Sequence, residues 1–215
     1  MTDSQKKDFK DNGLTWFPWI GNNYENGGIF NKKILILGES HYGTDKDAWF
    51  NENLTRLSIQ EKIGEANGEE GKFYKKAFHT NIFNAFNEKP ATNENKIDFW
   101  HSVAYFNYVQ GSVGEKPRER PKKDDWDLSF PAAKKTLDFL KPEIIVVLGY
   151  TLWENIWRKF DFEIHEKTTF NKNHNIHRLK LEYRPLMFCI KHPSSGFSSD
   201  YFRPEILKYV NTKLN

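Results

Sequence analysis

The sequence predicts an α/β fold, in which a central, mostly parallel four-stranded sheet lies between two layers of helices. Three short apolar runs each end in a glycine or a turn, as buried strands of parallel sheets do: residues 33–38, 143–149 and 185–192. A fourth run, residues 101–109, alternates two sets of side chains and is interpreted as a further strand. Helical patterns separate these runs, which indicates the crossovers of a three-layer α/β/α sandwich.

The helical segments and one insertion complete this prediction. Apolar residues at helical spacing predict helices at 72–86, 131–141 and 151–160, and Pro204 is typical of the start of a last helix. Residues 162–183 contain two polar and apolar alternations around the turn sequence NKNHN, which predicts a β-hairpin insertion. A chain of 215 residues suits one sandwich, so we interpret 1–215 as a single domain with a flexible N-terminus at 1–12.

Composition excludes several classes of protein. The single cysteine, Cys189, allows no intrachain disulfide and no iron-sulfur cluster, and it is compatible with a reducing compartment. No apolar run approaches the roughly 20 residues of a membrane span, and the polar start has no signal-peptide core. We therefore expect a cytoplasmic monomer with no membrane partner. A net charge of +3 permits a nucleic acid partner without requiring one.

Candidate site residues follow the predicted strands, because ligands of open parallel sheets bind at the carboxyl ends of the strands. The segment GESHYG (38–43) follows the first strand, and Asn107 lies late in the second. Gly149 ends the third strand, and the segment KHPSSG (191–196) follows the fourth. We expect all four positions to fall on one rim of the sheet.

These segments resemble the motifs of uracil-DNA glycosylases. GESHYG is similar to their first motif, which is GQDPYH in one branch and GEAPG in another, and HPSS is similar to the second motif, HPSP. Between them, FNYVQ (106–110), PRERP (117–121) and KPEIIVVLG (141–149) resemble an Asn-bearing strand, a Pro and Arg loop, and a strand ending in Leu-Gly. The order and spacing agree over residues 33–198. The resemblance implies a parallel sheet flanked by helices and excision of uracil or a related damaged pyrimidine from DNA.

The resemblance also implies roles for individual residues. Breaking the bond between base and sugar builds positive charge on the sugar and negative charge on the departing base. Glu39 would supply the anion for the sugar, and His192 would donate to the base. The Asn107 amide would read the edge of a flipped base, Tyr42 would exclude the methyl group of thymine, and Phe73 would stack on the ring, although helical spacing also explains Phe73 as a core residue.

The full set of candidates has three parts, and no metal or other cofactor is expected. The catalytic candidates are Glu39, His192 and Ser40. The substrate-binding candidates are Gly38, His41, Tyr42, Phe73 and Asn107. The candidates for binding DNA phosphates are Lys191, Ser194, Ser195 and Ser198, together with the basic loop at 116–123.

Departures from the family motifs leave alternatives open. Ser40 stands where the GQDPYH branch has an aspartate, and a neutral hydroxyl cannot replace that charge. The GEAPG branch also lacks this acid, but it carries a four-cysteine cluster that this chain cannot build. One alternative is a nucleic-acid-binding relative that has lost catalysis. Another is an ester or amide hydrolase using Ser40 and His41, although adjacent residues of a strand do not face each other and no Gly-x-Ser-x-Gly turn is present.

Overall fold

A mixed seven-stranded sheet forms the centre of the protein, which a computed structural model describes over residues 2–41, 50–65, 77–114, 119–167 and 174–211. Its strands are Trp19–Ile20 (β1), Ile34–Gly38 (β2), Val103–Asn107 (β3), Ile144–Leu148 (β4), Phe162–Glu166 (β5), Ile176–Leu179 (β6) and Leu186–Ile190 (β7). They lie in the order β1-β3-β2-β4-β7-β6-β5. Strands β3, β2, β4 and β7 run parallel to one another, and the remaining pairings are antiparallel.

The α/β class is therefore confirmed, while the sheet is larger than the four strands predicted. The edge strand β1 was missed because it has only two residues, too few to show a periodic pattern. The hairpin predicted within residues 162–183 is present as β5 and β6. It enlarges the sheet because β6 pairs with the edge of β7.

The central strands are buried on both faces, which explains their continuous apolar sequences. Alternate residues of each strand enter two separate hydrophobic cores. Leu35 and Leu37 of β2 belong to one core, and Ile34 and Ile36 belong to the other. Other parts of the chain therefore cover both faces of these strands.

Helices contribute buried side chains to both hydrophobic cores. Their bounds are Asp3–Asp11 (α1), Leu54–Lys62 (α2), Ala77–Phe86 (α3), Asn93–Ser102 (α4), Lys123–Leu128 (α5), Phe130–Leu140 (α6), Tyr150–Ile156 (α7) and Ser199–Asn211 (α8). Helices α1, α6 and α7 contribute to the core that contains Leu35, and α2, α3, α4 and α8 contribute to the core that contains Ile34. No helix in the described ranges is long and apolar enough to cross a membrane.

Two sequence predictions were wrong about where a helix lies. The strand predicted at 101–109 begins only at Val103, because α4 starts at a capping box between Thr92 and Asn95 and continues to Ser102. The last helix begins at Ser199 rather than at Pro204, which lies inside it. The Ser198 hydroxyl accepts the Tyr201 N–H at this start, and a serine cap of this kind stabilises a helix N-terminus.

The segment expected to be a flexible N-terminus contains a packed helix. Thr2 and Gln5 form a capping box at the start of α1. Phe9 on this helix is buried, and its ring packs edge-on against Phe139 of α6 at a centroid distance of 5.2 Å. Polar residues on the outer face of α1 explain why the sequence did not reveal this packing.

Lys32 is expected to stabilise the fold through the end of α8. Its buried ammonium donates to the carbonyl oxygens of Tyr209 and Val210, both at 2.9 Å, which lie in the last helical turn. Lys32→Met should lower the free energy of unfolding by about 1–3 kcal/mol, because buried carbonyls lose their donor. Urea unfolding measures this loss. Lys33→Met is the control, because Lys33 pairs with an exposed Glu25, and equal losses for both variants would contradict the prediction.

Candidate functional site

The carboxyl ends of the four parallel strands meet on one rim, as the sequence predicted. Gly38 at the end of β2 lies in register with Asn107 at the end of β3. Pairing continues past these strands, since the Val109 N–H donates to the Glu39 carbonyl oxygen at 2.9 Å. On the other side, the Gly149 N–H donates to the carbonyl oxygen of Ile190 at 2.8 Å, two residues before His192.

Asn107 is a buried amide whose side chain contacts Tyr105. Its Oδ1 accepts a hydrogen bond from the Tyr105 hydroxyl at 2.9 Å. A Cβ atom on residue 38 would lie 2.1 Å from this oxygen, so only glycine fits beside Asn107. Within the described ranges Nδ2 has no hydrogen-bond partner, so its two N–H donors are available to a ligand.

Glu39 forms an ion pair that the sequence did not reveal. Nη1 of Arg120 lies 2.9 Å from Oε1 and 3.0 Å from Oε2 of Glu39. The Glu39 side chain is only 10% exposed, whereas the Arg120 side chain is 55% exposed. The expected catalytic anion is therefore partly neutralised by a residue of the loop that we expected to bind phosphates.

His192 is placed as a neutral hydrogen-bond donor. The backbone N–H of Ser194 donates to its Nδ1 at 3.3 Å, and the Ser194 hydroxyl lies 2.8 Å from the same atom. An amide can only donate, so this contact assigns the ring proton to Nε2. Burial, with a smaller contribution from the Arg120 charge, lowers the pKa of His192 to about 4. The imidazole is thus neutral at pH 7 with an N–H at Nε2.

Helix α3 supports the His192 turn and adds an aromatic ring to it. The Phe78 ring lies 5.4 Å from the His192 ring at an interplanar angle of 33°. Asn81, one turn further along α3, donates to the Pro193 carbonyl oxygen at 2.7 Å. The helical pattern gave no signal that Phe78 belongs to the site, because it explains the residue as core. Phe73, the predicted stacking ring, lies outside the described residues.

His41 contacts the protein interior instead of its neighbour Ser40. Its Nε2 lies 2.9 Å from the Thr55 hydroxyl, and its ring packs edge-on against Trp16. Burial lowers the pKa of His41 to about 4. The Ser40 side chain makes no hydrogen bond within the described ranges, and Tyr42 lies outside them.

The candidates for binding phosphates shape the turn that follows β7. Lys191 donates to the Gly196 carbonyl oxygen at 3.0 Å, and the Ser195 N–H donates to the His192 carbonyl oxygen at 3.0 Å. Ser194 contacts His192, and Ser198 caps α8.

In the part of the chain that the structure describes, no three His, Cys, Asp or Glu residues are grouped as metal ligands.

Comparisons with known proteins identify no family for this chain. The chain matches no protein-family model and no curated protein. These comparisons do not bear on the resemblance to uracil-DNA glycosylases, which rests on the sequence motifs.

Arg120→Gln is expected to raise the pKa of His192 above about 4. The variant removes a positive charge that disfavours the imidazolium, and it leaves the Glu39 carboxylate unpaired, which favours the imidazolium. NMR titration of the ring nitrogens measures the change, with His192→Asn to assign the signal. Arg184→Gln is the control, because it also breaks an ion pair between an arginine and a glutamate. That pair, between Arg184 and Glu163, lies at the hairpin instead of the rim. An unchanged pKa in Arg120→Gln would contradict the prediction.

Proposed function

We propose that this chain is a DNA glycosylase of the uracil-DNA glycosylase superfamily, built on a three-layer α/β/α sandwich around its four parallel strands. It hydrolyses the N-glycosidic bond of uracil or a related damaged or modified pyrimidine, as a cytoplasmic monomer without a cofactor. The observation that carries this proposal is the grouping of three different chemical functions on one rim. Glu39 is a carboxylate, Asn107 presents amide donors, and His192 is a neutral imidazole.

The departing base is stabilised by His192 in this mechanism. The bond between the sugar carbon and the base nitrogen breaks, and its electron pair leaves with the base. Nε2–H of His192 donates to a base oxygen on which the negative charge grows, and a neutral donor in a buried site does this without losing its proton. A water oxygen then bonds to the sugar carbon and loses a proton, and the departed base anion takes up a proton, which leaves an abasic site and a neutral free base.

Glu39 and Asn107 act on the sugar and on the base edge. The Glu39 carboxylate stabilises the positive charge that develops on the sugar. The donors of Asn107 pair with an oxygen of a flipped base, while its Oδ1 accepts from the Tyr105 hydroxyl. Because uracil and cytosine differ in polarity at ring position 4, an amide that presents its donors there favours uracil.

A screen of the purified chain tests this proposal. Labelled single- and double-stranded oligonucleotides that carry different pyrimidine lesions are incubated with excess protein and then cleaved with alkali. We expect an abasic product from at least one lesion and none from the unmodified strand. If no lesion is excised in either strand form, the glycosylase proposal is wrong.

One observation favours a second candidate, a nucleic-acid-binding relative without catalysis. The pairing of Glu39 with Arg120 and the neutral Ser40 leave the rim without an unpaired acid in the described ranges. DNA binding that weakens with salt, without excision of any base, would support this candidate.

The ester hydrolase is disfavoured, because His41 contacts Thr55 and the Nδ1 of His192 already accepts the Ser194 amide.

A further inference from the structure

The ion pair between Glu39 and Arg120 is asymmetric. The carboxylate belongs to the rim segment after β2, which backbone hydrogen bonds hold beside residues 108 and 109. The guanidinium comes from a loop residue 81 positions away in the sequence and exposes more than half of its side chain. Arg120 can therefore exchange one anionic partner for another, whereas Glu39 is held in place.

A nucleic acid phosphate is a suitable competitor for this guanidinium. The planar guanidinium fork binds carboxylates and phosphates with similar geometry. Exposed Lys122 and Lys123 follow Arg120 in the chain and increase the attraction for a polyanion at this loop. A carboxylate paired with a guanidinium also stabilises a cationic sugar less than an unpaired carboxylate does. The two charges of the pair nearly cancel at a distance.

We propose that Arg120 is a positioning residue that responds to phosphate. In the free protein Arg120 holds and neutralises Glu39, and a backbone phosphate of bound nucleic acid takes over its guanidinium. The Glu39 charge then becomes available only when substrate is bound. This inference rests on the proposed function, and it gives the glycosylase site a device that couples binding of the DNA backbone to catalysis.

A double-mutant cycle on DNA binding tests this exchange without requiring catalysis. The probe is a labelled single-stranded oligonucleotide of deoxythymidine, and its affinity is measured by fluorescence anisotropy at low salt. Glu39→Gln releases Arg120 from its competitor and is expected to tighten binding about two- to fivefold, the range for an ion pair with one exposed partner. In the Arg120→Gln background the same Glu39→Gln change is expected to tighten binding less than it does in the wild type, because no guanidinium is left to release.

Each other outcome of the cycle has a definite meaning. Equal tightening in both backgrounds would show simple repulsion between Glu39 and DNA, and it would overturn the proposal, as would no tightening at all. Arg120→Lys keeps the charge but loses the fork, so its affinity should lie between those of the wild type and Arg120→Gln. If no variant binds DNA, both proposals are wrong. A positive cycle without excision of any lesion would refute the glycosylase alone.

Discussion

Single-turnover excision by the Glu39→Gln variant is expected to be slower than by the wild-type chain by about a hundredfold or more. Glutamine keeps the shape of the side chain and deletes its charge, so the developing sugar cation loses its nearest carboxylate. The Glu39 side chain is only 10% exposed, and low solvent access increases the effect of a fixed charge. Measurement at saturating protein separates this chemical step from any change in DNA binding.

Ser40→Ala is the matched control for Glu39→Gln. Ser40 is the next residue on the same rim, and its hydroxyl supplies only a dipole, so its removal should slow excision far less. Ser40→Asp tests whether this loop has the geometry of the GQDPYH branch, in which case the restored acid raises the rate. If Glu39→Gln cleaves at the wild-type rate, the proposed mechanism is wrong, even though the α/β fold stands.

The sequence predicted the central strands well because their burial determines their composition. Strands β2, β4 and β7 lie within the apolar runs 33–38, 143–149 and 185–192. Strand β3 was located with the wrong start, because α4 runs to Ser102 and β3 begins at the next residue, with no glycine or proline to mark the boundary. The helical N-terminus was missed because α1 buries a single residue, Phe9.

The candidate site shows the same division between local and long-range information. Parallel strands bring their carboxyl ends together, so the shared rim of Glu39, Asn107 and His192 followed from the order of the strands. The side chains that contact these three residues could not be predicted from the sequence. Arg120 reaches Glu39 across 81 positions, and the Phe78 ring meets His192 through the packing of α3, and neither contact has a signature in the local sequence.

His192→Ala is expected to slow excision about as much as Glu39→Gln, by roughly a hundredfold, because it removes the donor to the departing base. Exposed His165 on β5 provides the control, and His165→Ala should retain the wild-type rate. A structural role for His192 would also slow the reaction, so the leaving group must be varied. Where uracil is excised, fluorouracil is a better leaving group, because its anion is more stable and needs less help from a donor.

The donor role therefore predicts that the deficit of His192→Ala shrinks when fluorouracil replaces uracil in the same oligonucleotide. Glu39→Gln acts on the sugar, so its deficit should remain similar for the two bases. Single-turnover rates of both variants on both substrates measure this contrast. Equal deficits of His192→Ala for uracil and fluorouracil would show that the imidazole positions the turn at Ser194 and Phe78 instead of donating to the base, because a misplaced turn slows both substrates alike.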